Sequence, residues 1–117
     1  MVQLNLVVLR SIDIDKAADF YRLLGLEFSR HQHGSGPFHY ACEMGETVFE
    51  IYPQQKEGEG SSGTRVGFRV EHLNSLLSRL EKAGVIVISA AKDSPWGRRA
   101  VVQYPDGHRV ELIELAP

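Results

Sequence analysis

Two glutamates sit inside runs that otherwise read as strands destined for burial: Glu50 in TVFEIYP, Thr47 to Pro53, and Glu111 in RVELIEL, Arg109 to Leu115. A carboxylate in such a run has to be solvated, paired, hydrogen-bonded or bound to a metal, because burying it bare costs several kcal/mol and drives it to take up a proton. Arg65, in RVGFRV, is a cation placed by strand alternation to answer one of them through a charge-assisted contact of bidentate form. Arg99, alternating with Val101 and Gln103, brings a second positive charge to the same face, and Tyr52 shares the face of Glu50. Three imidazoles, His31, His33 and His39, flank a glycine-rich turn in HQHGSGPFH; without an acidic or thiol neighbour in sequence they read as the polar rim of a hairpin rather than as metal ligands. His72 reads as a helix-start residue and His108 as an exposed hairpin residue. No Ser/His/Asp arrangement, phosphate-cradling glycine loop or cysteine pair of metal spacing occurs.

The elements that must hold these groups come in two copies. In IDKAADFYRLLG, Ile14, Ala17, Ala18, Tyr21 and Leu24 share one helical face, with Asp13 placed to cap the start and Gly25 to end the helix in a left-handed conformation. The same register recurs 59 positions on, where Leu73, Leu76, Leu77, Leu80 and Ala83 form the stripe of LNSLLSRLEKAG and Gly84 takes the place of Gly25. A β-branched run precedes each helix, QLNLVVLR and RVGFRV, and three strand-like runs follow it: LEFSRH, FHYACEM and TVFEIY in the first half, VIVIS, RAVVQ and RVELIEL in the second. The turns GSGP, MGE and YPDGH separate them. The expected fold is therefore α+β: two βαβββ modules, residues 1–53 and 65–117, joined by a Gly/Ser-rich linker at 54–64, within one domain.

Period-two alternation sorts the faces. Val66, Phe68 and Val70 are expected toward the helix and Arg65, Gly67 and Arg69 away from it; Phe49 and Ile51 oppose Val48, Glu50 and Tyr52; Val110 and Leu112 oppose Arg109, Glu111 and Ile113. Both glutamates fall on the face turned from the helices. If the two sheets curl around a common space, that face lines a partly closed, barrel-like cleft, the kind of concavity that takes small molecules.

Bulk properties narrow the partners. A formal net charge of -2 offers no general attraction for nucleic acid or an anionic membrane, so a small molecule or another protein is the expected partner. Cys42 has no partner for an internal disulfide and reads as a small buried hydrophobe, which fits a reducing compartment. The N-terminal MVQLNLVVLR lacks the basic leader and apolar length of a signal peptide, and no run approaches the roughly 20 apolar residues of a membrane span; the expectation is a soluble, cytoplasmic protein.

The paired modules, with DIDKAADFYRLLGLEF in the first and YPDGHRVELIE closing the second, resemble the vicinal oxygen chelate superfamily, which includes glyoxalase I, extradiol dioxygenases, fosfomycin-resistance enzymes and bleomycin-binding proteins. In its metal-bearing members each module supplies an early ligand, usually His or Gln, and a late Glu. The late positions match as Glu50 and Glu111; the early ones are Leu6 and Arg65. Leucine has no lone pair to offer, and arginine is a permanent cation without an acceptor. The resemblance thus implies a binding protein close to the bleomycin-resistance branch, holding a polar or aromatic molecule without a complete metal site or other cofactor, with Arg65, Glu50, Glu111, Trp96, Arg99 and Tyr52 as its ligand-binding residues. Trp96, in SPWGRR, reads either as a packing anchor or as an aromatic wall of the cleft, while Arg98 reads as part of a solvated turn. The alternative is a glyoxalase I-like lyase or extradiol dioxygenase-like oxidoreductase that holds Zn, Ni, Mn or Fe through Glu50 and Glu111, completed by water or by a histidine of the 31–39 segment. Relatives often build their clefts from two chains, so a twofold homodimer is expected.

Overall fold

The computed structural model describes residues 1–56, 60–104 and 106–115. Its elements are β1 (Leu6–Ser11), α1 (Ile14–Leu23), β2 (Ser29–His31), β3 (His39–Met44), β4 (Thr47–Pro53), β5 (Arg65–Arg69), α2 (Leu73–Lys82), β6 (Ile86–Ser94), β7 (Gly97–Gln103) and β8 (Arg109–Glu114). The α+β class and the two βαβββ modules are as expected from the sequence. The chain divides into two compact units, Met1–Ser61 and Ser62–Pro117. The boundary falls in the Gly/Ser-rich segment, of which positions 57–59 lie outside the described residues, as does Pro105 of the expected hairpin turn.

Each unit carries one mixed sheet of four strands, in the orders β1-β4-β3-β2 and β5-β8-β7-β6. The first strand runs parallel to the last, β1 beside β4 and β5 beside β8, and the remaining neighbours are antiparallel. A helix returns the chain between the first strand and the hairpins, so one face of each sheet is covered. In the first unit Ala17, Ala18, Phe20 and Tyr21 of α1 are buried, with the Tyr21 ring 5.0 Å from Phe49 in an edge-on contact. The Tyr40 hydroxyl of β3 donates to Asp15 at 2.6 Å, tying the sheet to the first turn of α1. In the second unit Leu73, Leu76, Leu77 and Leu80 of α2 are buried, as are Phe68, Val102, Val110 and Leu112 of the sheet. Ala83, assigned to this stripe by spacing, is exposed because the helix ends there and Ala83 is its C-cap.

The two helices begin differently. Asp13 caps α1 by accepting from the backbone N–H groups of Asp15 and Lys16, each at 3.1 Å. His72 stands at the equivalent position of α2 in a left-handed conformation, φ 54°, and makes no side-chain cap bond. Glu114 of β8 does that work instead, its Oε1 accepting from the Leu73 N–H at 2.6 Å. The same end of β8 constrains the β6–β7 turn: Gly97, at φ 135°, lies so close that a Cβ there would collide with the Glu114 carbonyl oxygen.

The place of His108 departs from the sequence expectation. His108 is fully buried rather than exposed, because it continues the alternation of Val110 and Leu112 and so faces the helix side of the second sheet. Cys42 is buried as expected, and that burial raises its thiol pKa.

The Glu114 cap yields a stability prediction. Glu114→Ala should lower the unfolding free energy in urea by about 1–2 kcal/mol, the usual cost of a lost N-cap. Asp13→Ala should cost about 1 kcal/mol at the other helix, whereas His72→Ala, which removes no cap bond, should cost less than either loss. An unchanged midpoint for Glu114→Ala would show that the contact adds nothing to α2.

Candidate functional site

Alternation along β8 sends Val110 and Leu112 into the core and turns Glu111 to the face that α2 does not cover. There its two carboxylate oxygens are shared. Arg65 of β5 donates from Nη2 to Oε2 at 3.0 Å, and Arg99 of β7 donates from Nε to Oε1 at 2.9 Å. The bidentate Arg65 contact expected from the sequence is thus replaced by one bond from each of two guanidiniums. The Arg99 hydrogen bond is the largest cause of a Glu111 pKa below the ordinary carboxylate range; burial opposes it and the Arg65 bond reinforces it. Glu111 in turn raises the pKa of Arg99. A pocket of about 240 Å³ adjoins this group, lined among others by Arg65, Ile88, Lys92, Arg99, Val101 and Arg109.

The first unit presents a related face with different chemistry. Glu50 lies directly beside Val8 of β1 and Ala41 of β3, as Glu111 lies beside Gly67 of β5 and Val101 of β7. His39, two residues before Ala41, therefore holds the place that Arg99 holds in the second unit, and its Nε2 is 3.8 Å from Glu50 Oε2. His39 is not on an exposed rim: it is 1 % exposed, and its ring stacks on Tyr52 with centroids 4.2 Å apart. Nδ1 lies 3.4 Å from the Pro37 carbonyl oxygen and Nε2 lies 3.4 Å from the Tyr52 hydroxyl. The Arg10 guanidinium lies over the Tyr52 ring at 5.3 Å, and the His33 ring is 5.0 Å from His39.

The structure therefore groups Arg65, Arg99 and Glu111 in one unit and Glu50 with Tyr52 in the other. Trp96 joins neither group: it is 72 % exposed in the β6–β7 turn and does not line the pocket, so it is no packing anchor of the core. Arg98 is not merely solvated, since it donates to Asp93 at 3.1 Å and to Asn74 of α2 at 3.1 Å. Sequence reasoning missed Lys92 and Arg109. Lys92 was within reach, because a two-residue turn at Pro95-Trp96 sets Lys92 opposite Arg99. Arg109 lies opposite Arg65 only through the parallel β5–β8 pairing, which no local pattern specifies.

The early ligand positions implied by the resemblance are structurally equivalent. Leu6 pairs with Val48, two residues before Glu50, and Arg65 pairs with Arg109, two residues before Glu111. A leucine and a guanidinium already bonded to the late glutamate do not fit a divalent cation, which needs lone pairs and tolerates no adjacent fixed positive charge. Among the described residues no group of three or more His, Cys, Asp or Glu side chains is arranged to hold a metal ion.

Comparisons with known proteins follow the fold. Residues 3–112 match the family described as Glyoxalase/Bleomycin resistance protein/Dioxygenase superfamily. No curated protein matches the sequence. Among solved structures, TnmS3, an antibiotic binding protein from Streptomyces sp. CB03234, is 23 % identical with a TM-score of 0.80, covering 99 % of this chain and 98 % of its own. The oxidase ChaP-H2 is 21 % identical with a TM-score of 0.78, covering 98 % and 94 %. A glyoxalase/bleomycin resistance protein from Streptomyces sp. CB03234 is 24 % identical with a TM-score of 0.73, covering 95 % and 99 %. Likeness at these identities establishes the fold and leaves activity open.

The shared carboxylate sets a pH dependence. Because the folded pKa of Glu111 lies below the unfolded one, the group adds stability above the ordinary carboxylate pKa of about 4.3, and loses it as pH falls through the depressed folded value. The stability difference between wild type and Glu111→Gln should be largest near pH ~6–7 and shrink steadily below pH ~4. Urea unfolding at a series of pH values checks it; a constant difference across that range would show that the ion contacts do not govern the titration.

Proposed function

We propose that this chain, which belongs to the glyoxalase/bleomycin resistance protein/dioxygenase superfamily, binds a small polar or aromatic molecule on its open sheet faces without a complete metal site. One observation carries the reading: both oxygens of Glu111, the position of a late metal ligand, are bonded to guanidiniums, and one of those guanidiniums belongs to Arg65, the position of the early ligand. The superfamily scaffold is retained while its chelating set is replaced by an internal ion pair network. On the face of the second unit the proposed contacts are Arg65, Arg99 and Glu111; on the face of the first, taken by itself, they are Glu50 and Tyr52. Trp96, exposed in its turn and outside the lining of the second-unit pocket, is assigned no ligand contact. The likeness in fold to an antibiotic binding protein supports holding or sequestering the ligand as the role, and a free, buried Cys42 accords with a reducing compartment such as the cytoplasm. No residue is assigned to catalysis.

Metal content tests the reading most cheaply. The purified protein should carry no stoichiometric Zn, Ni, Mn or Fe, and titration with each should give no saturable site at micromolar affinity. A stoichiometric micromolar site would favour the metal-dependent lyase or dioxygenase reading instead.

We also propose a homodimer. Within each unit the described sheet ends in an outer strand on either side, β1 and β2 in the first and β5 and β6 in the second, and sheet edges call for cover. Light scattering at micromolar concentration should give twice the 13.1 kDa chain mass. A mass that stays at 13.1 kDa over that range would refute the dimer.

A further inference from the structure

The open face of the second sheet carries an arrangement of charge that folding does not explain. In the register of β5 with β8, Arg65 lies directly beside Arg109; in that of β6 with β7, Lys92 lies directly beside Arg99. Like charges set opposite one another across strands are destabilising. The same β6–β7 hairpin avoids this one residue further on, where Asp93 lies opposite Arg98 and pairs with it at 3.1 Å. All four cations of the two repulsive pairs line one pocket of about 240 Å³, together with apolar Ile88 and Val101. Glu111 is the carboxylate that answers them, and it binds Arg65 and Arg99 only. Lys92 and Arg109 are exposed and make no ion pair with a described residue.

We infer that this pocket receives the anionic group of the ligand, a carboxylate, sulfonate or phosphate carried on a small apolar body. The inference rests on the small-molecule reading above and adds the ligand's charge and its seat. Glu111 uses one N–H of each guanidinium, Nη2 of Arg65 and Nε of Arg99, so most of the five donors on each remain available. Held by the carboxylate between them, the two planar forks are fixed before a ligand arrives, which limits the side-chain ordering that binding would otherwise require. An incoming anion would relieve both repulsive pairs, and Ile88 and Val101 would take the apolar body. A net charge of -2 for the whole chain makes the local surplus a feature of this pocket and not of the surface at large.

A matched pair of probes tests it, 2-naphthoate and 2-naphthamide, which share a shape and differ in charge. Titrations of the full chain followed by amide-resolved NMR should show the acid binding at least ~10-fold tighter, about 1.4 kcal/mol, with shifts centred on β5, β7 and β8. Added salt should weaken the acid and leave the amide unchanged. Lys92→Gln with Arg109→Gln should cost the acid ~10-fold and the amide less than ~2-fold, and the unliganded variant should melt no lower than wild type because a repulsion has been removed. If that pair melts lower, Lys92→Gln alone, on the edge strand β6, carries the same comparison. Equal affinity for acid and amide, or acid shifts confined to the first unit, would overturn the anion assignment while leaving small-molecule binding intact. Silence from both probes at millimolar concentration overturns the assignment, and silence across a wider neutral and aromatic set overturns the binding reading as well.

Discussion

Glu111 accepts from Arg65 through one oxygen and from Arg99 through the other, and these three residues stand on adjacent strands, β5, β8 and β7. A single carboxylate therefore orders the open face of the second sheet. Were it free, it would compete with any anionic ligand for the guanidiniums; bound as it is, it spends one donor of each and leaves the rest directed by the sheet. Its position depends in turn on the opposite face. Val110 and Leu112 are wholly buried, so β8 has no freedom to rotate Glu111 away from its partners.

The first unit shows what the same scaffold does with other side chains. Glu50 occupies the position of Glu111, but Leu6 replaces Arg65 and His39 replaces Arg99. Without a guanidinium bridge, that face is organised by rings: His39 lies between a stacked Tyr52 and its own contact with the Pro37 carbonyl, and Glu50 stays 3.8 Å from the imidazole. The two sheets share strand order, pairing direction and the place of the glutamate. They differ in whether that glutamate is bonded to two guanidiniums or stands beside a stacked imidazole, which makes them unequal as binding surfaces.

What the sequence displayed and what it hid divide along the range of the interaction. Helical stripes, the Asp13 cap and the inward set of Phe49, Ile51, Val110 and Leu112 follow from periods of 3.6 and 2, which are local. The burial of His108 belongs to the same local pattern and was obscured by its place at a turn, where exposure is the usual outcome. Partnerships across strands are another matter. Arg109 beside Arg65 and Glu50 within reach of His39 depend on which strands pair and in what register, set by packing far along the chain. The Glu114 cap joins residues 41 positions apart and was invisible for that reason. The register shifts of β6, which fall between Lys92 and Ser89 and between Ser89 and Val87, are equally unannounced by its residues.

The side chain at position 65 governs both the fit of a metal and the charge of this face. An arginine at the early ligand position does more than fail to bind a metal: its charge repels one, and its hydrogen bond consumes the carboxylate that a metal would need. Once Arg65 is in place, Arg99 can take the second oxygen at no cost in ligands, since none remain to be lost. Lys92 and Arg109 then add charge beside groups already cationic, an arrangement that is unfavourable for the empty fold and favourable only with an anion present. In this chain the carboxylate of Glu111 is the residue that positions the cations.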